Sequence, residues 1–405
     1  MKKKVDFSII WFSIGLCFTT ATQLRIHGLP IGPGEIMLFL WIVIKIFWIF
    51  KKKEVILTPL SRNLTFFWFF LFLFLTIGTL CSAYLGILYP FAAHSFFAYL
   101  FSCLLIIVLS FERNLKIKVI TIAKILVSIT VLVSLLLLIF STKDGSIGPI
   151  NSWHSSPRFA GWAIDNQLAL DSSILLYLSL YLSTIAKTYL LKTWYFGLAV
   201  ACVWIGIETQ SDALFTAFSV GFSILFITFW LKKITNSQMG YWTGAWWKVW
   251  LPIMICFTVL IFGSMIYKGV NQNVSTIYYS QGDKGDLRVA LWENGLKAME
   301  TSPIFGLGPG AFSGGTAPFQ GMEAHNTFVD IGTNIGLVGL ILYIGLLCWI
   351  SYLLILKKEV VLFTGLVTVM FFNLFHFIIR HPIYWFYLLF ILSISIDQEK
   401  STVKD

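Results

Sequence analysis

Charge is what this 405-residue chain has least of. Asp, Glu, Lys and Arg make up 12% of it, against 58% hydrophobic residues. That balance excludes an ordinary soluble globular domain. Cysteine is sparse too. The six present, Cys17, Cys81, Cys103, Cys202, Cys256 and Cys348, all lie in apolar runs without a CxxC spacing. They read as small hydrophobes, neither disulfides nor metal ligands. There is no HxxxH pair or carboxylate cluster, so no metal or other cofactor is expected. No internal repeat marks a transporter built of inverted halves, and no soluble domain or low-complexity tract interrupts the chain. The alternating pattern of a membrane β-barrel is missing.

What remains is a succession of apolar runs of about 17 to 22 residues, the length a helix needs to cross a hydrocarbon core. Lipid offers no partner to backbone polar groups, so each run should be helical. The expected fold is an all-α integral membrane protein, a single polytopic domain over 1–405. Twelve spans are placed at about 7–24, 35–50, 64–83, 94–111, 119–140, 167–185, 194–208, 212–231, 247–267, 326–355, 360–379 and 382–397. The formal charge of +10 does not point to nucleic acid. Its lysines and arginines gather between spans, at Lys2–Lys4, Lys51–Lys53, Arg113–Lys118, Lys187 and Lys192, Lys232 and Lys233, and Lys357 and Lys358. With an inside N-terminus, alternation puts every cluster on the cytoplasmic side, together with the tail from Asp397. The run after Met1–Lys4 is expected to be an uncleaved first span and not a signal peptide.

Two outer loops are long and polar, 141–166 and 268–325. The second gathers more polar groups than any other stretch, and long loops between elements carry function or disorder. Its turn chemistry favours a folded active-site element. Leu287, Leu291, Leu296 and Met299 recur at helical spacing, with Asp286 as the expected N-cap and Pro303 as the terminator. This helix should lie on the outer membrane surface with Trp292 as its interfacial anchor. Gly306, Gly308 and Gly310 let the backbone turn and approach a neighbour. They form no phosphate loop, since no Gly-Lys-Ser/Thr follows. Gly332-Thr333-Asn334-Ile335-Gly336, with Gly339, reads as a small-residue face for close helix packing.

Arg288 is the first candidate for chemistry, because a guanidinium grips a phosphate through two parallel hydrogen bonds. The competing reading is an exposed arginine paired with Glu293 or Asp286. His325, where the polar loop re-enters the membrane, could take a proton from a hydroxyl or simply cap a helix. Arg158 repeats the pattern in the 141–166 loop, with lipid headgroups as its alternative ligand. Arg380 and His381 offer a further outer-face cation. Asp212 and Glu208 read as a polar hairpin tip. His94 and His154 have no ligand spacing, and His376 reads as a satisfied polar group within the membrane.

Three segments together resemble the O-antigen ligase and polymerase superfamily. They are Arg288-Val-Ala-Leu-Trp292, Ser302-Pro303-Ile-Phe-Gly306-Leu-Gly308-Pro-Gly310-Ala-Phe312, and His325-Asn326-Thr-Phe-Val with Gly336-Leu-Val-Gly339-Leu. Arg158-Phe-Ala-Gly161 and Asn166-Gln-Leu-Ala169 are similar to that family's earlier outer-loop motif, and the twelve-span layout matches. The resemblance implies a metal-independent glycosyltransferase of the bacterial cytoplasmic membrane, acting on its outer face. Its donor would be a glycan on undecaprenyl diphosphate, and its acceptor a lipid-linked glycan or lipid A core. A chain-length regulator protein would be a further partner. By the same carry-over Arg288 holds the diphosphate, Arg158 assists it, and His325 orients or deprotonates the acceptor hydroxyl. Asp212 stands where ligases of this family carry an arginine. Arg380 is a candidate substitute, and the departure tilts the expectation from ligase toward polymerase. A transporter or flippase of lipid-linked sugars is the reading from another class. It would show broken helices and mid-membrane charges.

Overall fold

The computed structural model describes residues 6–26, 31–52, 58–87, 92–141, 150–154, 158–235, 284–315 and 319–396. Within them lie α1 (Phe7–Thr19), α2 (Pro33–Lys52), α3 (Pro59–Tyr84), α4 (Ala92–Ser110), α5 (Leu115–Phe140), α6 (Asp165–Ile185), α7 (Tyr189–Glu208) and α8 (Asp212–Thr235). After them come α9 (Lys284–Thr301), α10 (Thr327–Leu356), α11 (Val360–Asn373) and α12 (Pro382–Ser395). Eleven of these sit where spans were expected, and α9 is the helix of the large loop. The expected span at 247–267, the first part of the large loop and the tail from Asp397 lie outside the described residues. Eight of the described helices are long and apolar enough to cross a membrane; α1, α11 and α12 are shorter apolar helices.

Local chemistry sets the helix starts. Asp6 accepts from the Ser8 N–H at the head of α1. Thr58 and Ser61 form a capping box before α3, with Pro59 in its first turn. Each satisfies N–H groups that a helix start leaves free, or lacks one there. Two spans end earlier than expected. α1 stops at Thr19, where the hydroxyls of Thr19 and Thr20 turn back onto the Leu16 and Cys17 carbonyls, each at 2.7 Å. α11 stops at Asn373, where Leu374 and Phe375 bond three residues back and tighten the last turn.

α6 and α12 form the centre of the bundle. α12 is buried at every position from Pro382 to Ser395, and a helix apolar on all sides belongs inside. Trp68 of α3 packs on Trp385 of α12 with ring centroids 4.5 Å apart. On the peripheral helices large apolar residues such as Phe50 and Leu190 are exposed. The charges sort to two ends. Asp6, Lys45, Glu112 and Lys118 make one ion network, in which Lys118 bonds both Glu112 and Asp6. At the opposite end Arg25 pairs with Glu35 at 2.7 Å. There Gln23 ties the end of α1 to the loop before α6 through Asn151 and Ala163.

α10 is not one continuous helix. At Gly336 the backbone takes φ 69° and ψ −166°, which frees carbonyls before the break and N–H groups after it. The segment after α9 satisfies both sets. Leu307 and Gly308 donate to the Thr333 and Asn334 carbonyls at 2.8 and 2.9 Å, and Leu337 and Val338 donate to Pro303 and Ile304 at 2.8 and 3.2 Å. α3 closes the junction from the far side. A Cβ on Gly78 would lie 2.6 Å from the Gly308 nitrogen. The small residues at 332–339 therefore admit a loop and α9 as well as the expected neighbouring helix, α3, on which a Cβ at Gly78 would lie 3.0 Å from the Asn334 carbonyl oxygen. Gly332 faces the Met299 side chain and Gly336 faces the Ile304 carbonyl.

Candidate active site

The site grows from one helix start. Asn326 caps α10, its side chain accepting from Phe328 and Val329 at 3.0 and 3.3 Å. From the first turn, Asp330 reaches back and accepts from the Ala324 N–H at 3.1 Å. Between these two bonds His325 is held at φ 51°, a left-handed conformation uncommon outside glycine. The polar sequence around His325 thus presents the imidazole on a fixed turn.

α9 brings the arginine. It starts at Lys284, so Asp286 lies inside the helix and is not its N-cap. Gly295 packs against Val329 and Gly332 against Met299, so α9 runs beside the first turns of α10 in the same direction. Arg288 stands seven residues before Gly295, on the same helical face, which carries it toward His325. The electrostatics agree, because the charge of Arg288 acts on both His325 and His376. Trp292 does not serve as the expected headgroup anchor: its indole nitrogen is buried within the protein without a hydrogen-bond partner.

The segment joining α11 to α12 closes the third side. His376 meets His325 edge-on with ring centroids 6.2 Å apart and stacks on Phe372 at 4.6 Å. Arg380 pairs with Glu323, two residues before His325. Its guanidinium also lies over the Phe377 ring at 4.9 Å and reaches Ser95 Oγ at 3.4 Å. Arg380 is thus beside the site but engaged by a carboxylate. His381 adds no cation, since burial and then the charges of Arg25 and Arg380 push its imidazole down to about 3.

The structure therefore brings Arg288, His325 and Arg380 together and leaves Arg158 in a different setting. Arg158 lies in a two-residue hairpin, Trp153–His154 against Arg158–Phe159, and pairs with Asp165 at 3.3 Å. It is not among the charges that act on His325, His376 or His381. Asp212, exposed in the first turn of α8, fits a helix N-terminus. His376 was misjudged from sequence as satisfied: its Nε2 is buried and unpartnered. Arg25 was not singled out at all. The available signal was topological, as alternation puts both His376 and Arg25 near outer ends.

Protonation follows from burial. Desolvation lowers the pKa of His325, Glu323 opposing the shift and Arg288 adding to it. Desolvation, then Arg288 and His325, take His376 from 6.5 down to about 3. Both imidazoles are neutral at neutral pH, so they can accept a hydroxyl proton or hold a hydrogen bond. Unfolded histidines take up protons below about pH 6.5 while buried His376 does not until about 3. The contribution of His376 to stability should be complete above pH 6.5 and fall below it, by about 1.4 kcal/mol per pH unit. A His376→Phe variant whose thermal midpoint in detergent falls as much as that of wild type between pH 7.5 and 4.5 would contradict this.

A cation for a phosphate, beside a neutral imidazole for a hydroxyl, suits transfer from a phosphate leaving group. No curated protein matches the chain. Residues 196–344 match the family model described as O-antigen ligase, whose members are glycosyltransferase-like enzymes acting on lipid-linked glycan and acceptor in a membrane. Arg288 and His325 both fall inside the match, as do the break at Gly336 and α9. The match over residues 196–344 of this multi-pass membrane chain supports the O-antigen ligase and polymerase superfamily.

Proposed function

We propose that the protein is a surface-polysaccharide polymerase of the bacterial cytoplasmic membrane. It moves a growing glycan from undecaprenyl diphosphate onto the next lipid-linked repeat unit, on the outer face. The observation that carries this reading is the packing of α9 along α10 at Gly295 and Gly332, which places Arg288 on the helix face toward His325. In the step, an acceptor hydroxyl oxygen bonds to the anomeric carbon of the donor sugar. The bond from that carbon to the diphosphate breaks, and the electron pair leaves on the diphosphate. His325 receives the hydroxyl proton, and Arg288 stabilises the charge developing on the leaving group. Arg380, already paired with Glu323, contributes positive potential to the diphosphate site. Arg158 supports a more peripheral part of the donor.

The description of the matched family favours a second reading, a ligase that moves the finished glycan onto lipid A core. Asp212, in place of an arginine, weighs toward the polymerase. Product size separates them. Purified protein given only a lipid-linked repeat unit should yield a ladder of longer glycans still on the polyprenyl carrier. Transfer that starts only when lipid A core is added would replace polymerase by ligase. Silence under both conditions would return the transporter reading.

A further inference from the structure

Most of His376 is already committed to structure. Thr327 donates to its carbonyl at 2.7 Å and accepts from the Ile378 N–H at 3.2 Å, so the backbone here is fixed to the first turn of α10. The ring is fixed by Phe372, stacked at 4.6 Å with an interplanar angle of 24°. Its edge-on partner, at 6.2 Å, is His325. The residue is only 7% exposed, and Nε2 has no hydrogen-bond partner. Packing alone does not account for a polar nitrogen there, because a phenylalanine would fill the same stack without leaving a buried polar atom unsatisfied.

The location narrows what could satisfy that nitrogen. It sits beside the imidazole that the transfer reaction uses, within the field of Arg288. A sugar hydroxyl both donates and accepts, so it satisfies Nε2 in either tautomer, whereas a phosphate oxygen only accepts and suits one. The diphosphate already has a stronger partner in the guanidinium. We infer that Nε2 of His376 hydrogen-bonds a hydroxyl of the acceptor sugar, setting the orientation in which its neighbouring hydroxyl meets His325. This assignment rests on the glycan-transfer reading above. His376 thus contributes to recognition of the acceptor, with Thr327 and Phe372 as the groups that hold it in place.

The test is steady-state transfer by the full chain in detergent, varying the lipid-linked acceptor and donor in turn. His376→Phe keeps the ring stack and should raise the acceptor KM about tenfold, the worth of one neutral hydrogen bond. The donor KM should stay within twofold of wild type. His376→Gln places an amide near the Nε2 position and should recover most of the loss, whereas His376→Asn, reaching only as far as Nδ1, should not. Wild-type kinetics for His376→Phe would overturn the assignment. So would a rise in the donor KM alone, which would mean a phosphate contact. Equal impairment of the Phe and Gln variants would overturn the hydrogen bond, and an impaired Gln variant beside a wild-type-like Phe variant would reduce His376 to ring packing. If His376→Phe fails to fold, the Gln and Asn pair still decides. A wild-type protein that transfers no glycan to any acceptor would remove the function, and this assignment with it.

Discussion

Arg288→Ala should lower glycan transfer by roughly 10²–10³-fold, the usual cost of removing one preorganised donor to a developing anion. The leaving diphosphate gains charge as the sugar departs, and Arg288 is the arginine whose field reaches both site imidazoles. Arg288→Lys should restore only part of the rate, since an ammonium cannot form the two parallel bonds of a guanidinium. His325→Ala should cost a comparable 10²–10⁴-fold if its role is that of a base. The two losses together should fall short of their product, because residues acting on one transition state are not additive. The check is initial transfer rate with membrane insertion and monodispersity monitored. An Arg288→Ala enzyme within threefold of wild type would remove the mechanism.

Arg288 and His325 were legible in the sequence for a physical reason. In a chain this apolar, polar groups are costly unless they face water or a substrate, so a polar loop draws the eye to its cations. The same logic failed at His376. It stands between two apolar spans, and nothing local shows that α11 stops at Asn373 and delivers the ring to the far side of His325. Arg380 was legible as an outer-end cation. Its pairing with Glu323 was not, because the partners come from different connections. Arg158 sits in a motif similar to the family's, yet its immediate partner is Asp165. Sequence spacing cannot reveal that pairing. The glycines at 332–339 were recognised as a place of close approach. Which backbone approaches, and that the helix breaks to receive it, depends on contacts with Pro303–Gly308 and α3.

That break is an observation shared with the transporter reading, and it carries the second large effect. In a transporter, an interrupted helix exposes free carbonyls and N–H groups to the cargo. Here Leu307 and Gly308 occupy the carbonyls, and Pro303 and Ile304 occupy the N–H groups, so the interruption is sealed by the chain itself. Its use is to lock the end of the active-site loop onto α10, about three helical turns from His325. Gly336→Ala tests this. The φ of 69° with ψ −166° belongs to a region open almost only to glycine, costing an alanine about 1–3 kcal/mol. The added Cβ would also fall 2.2 Å from the Ile304 carbonyl oxygen. Thermal stability should drop, and transfer should be lost because the loop and α9 no longer dock. Gly345→Ala, in the same helix, is the contrast. Its Cβ meets nothing within 4 Å, and helix propensity favours alanine by about 1 kcal/mol, so stability should hold or rise. If Gly336→Ala kept its thermal midpoint and its transfer rate, the junction would be incidental. The fixed geometry of the site would then have to come from the α9–α10 contact at Gly295 and Gly332 alone.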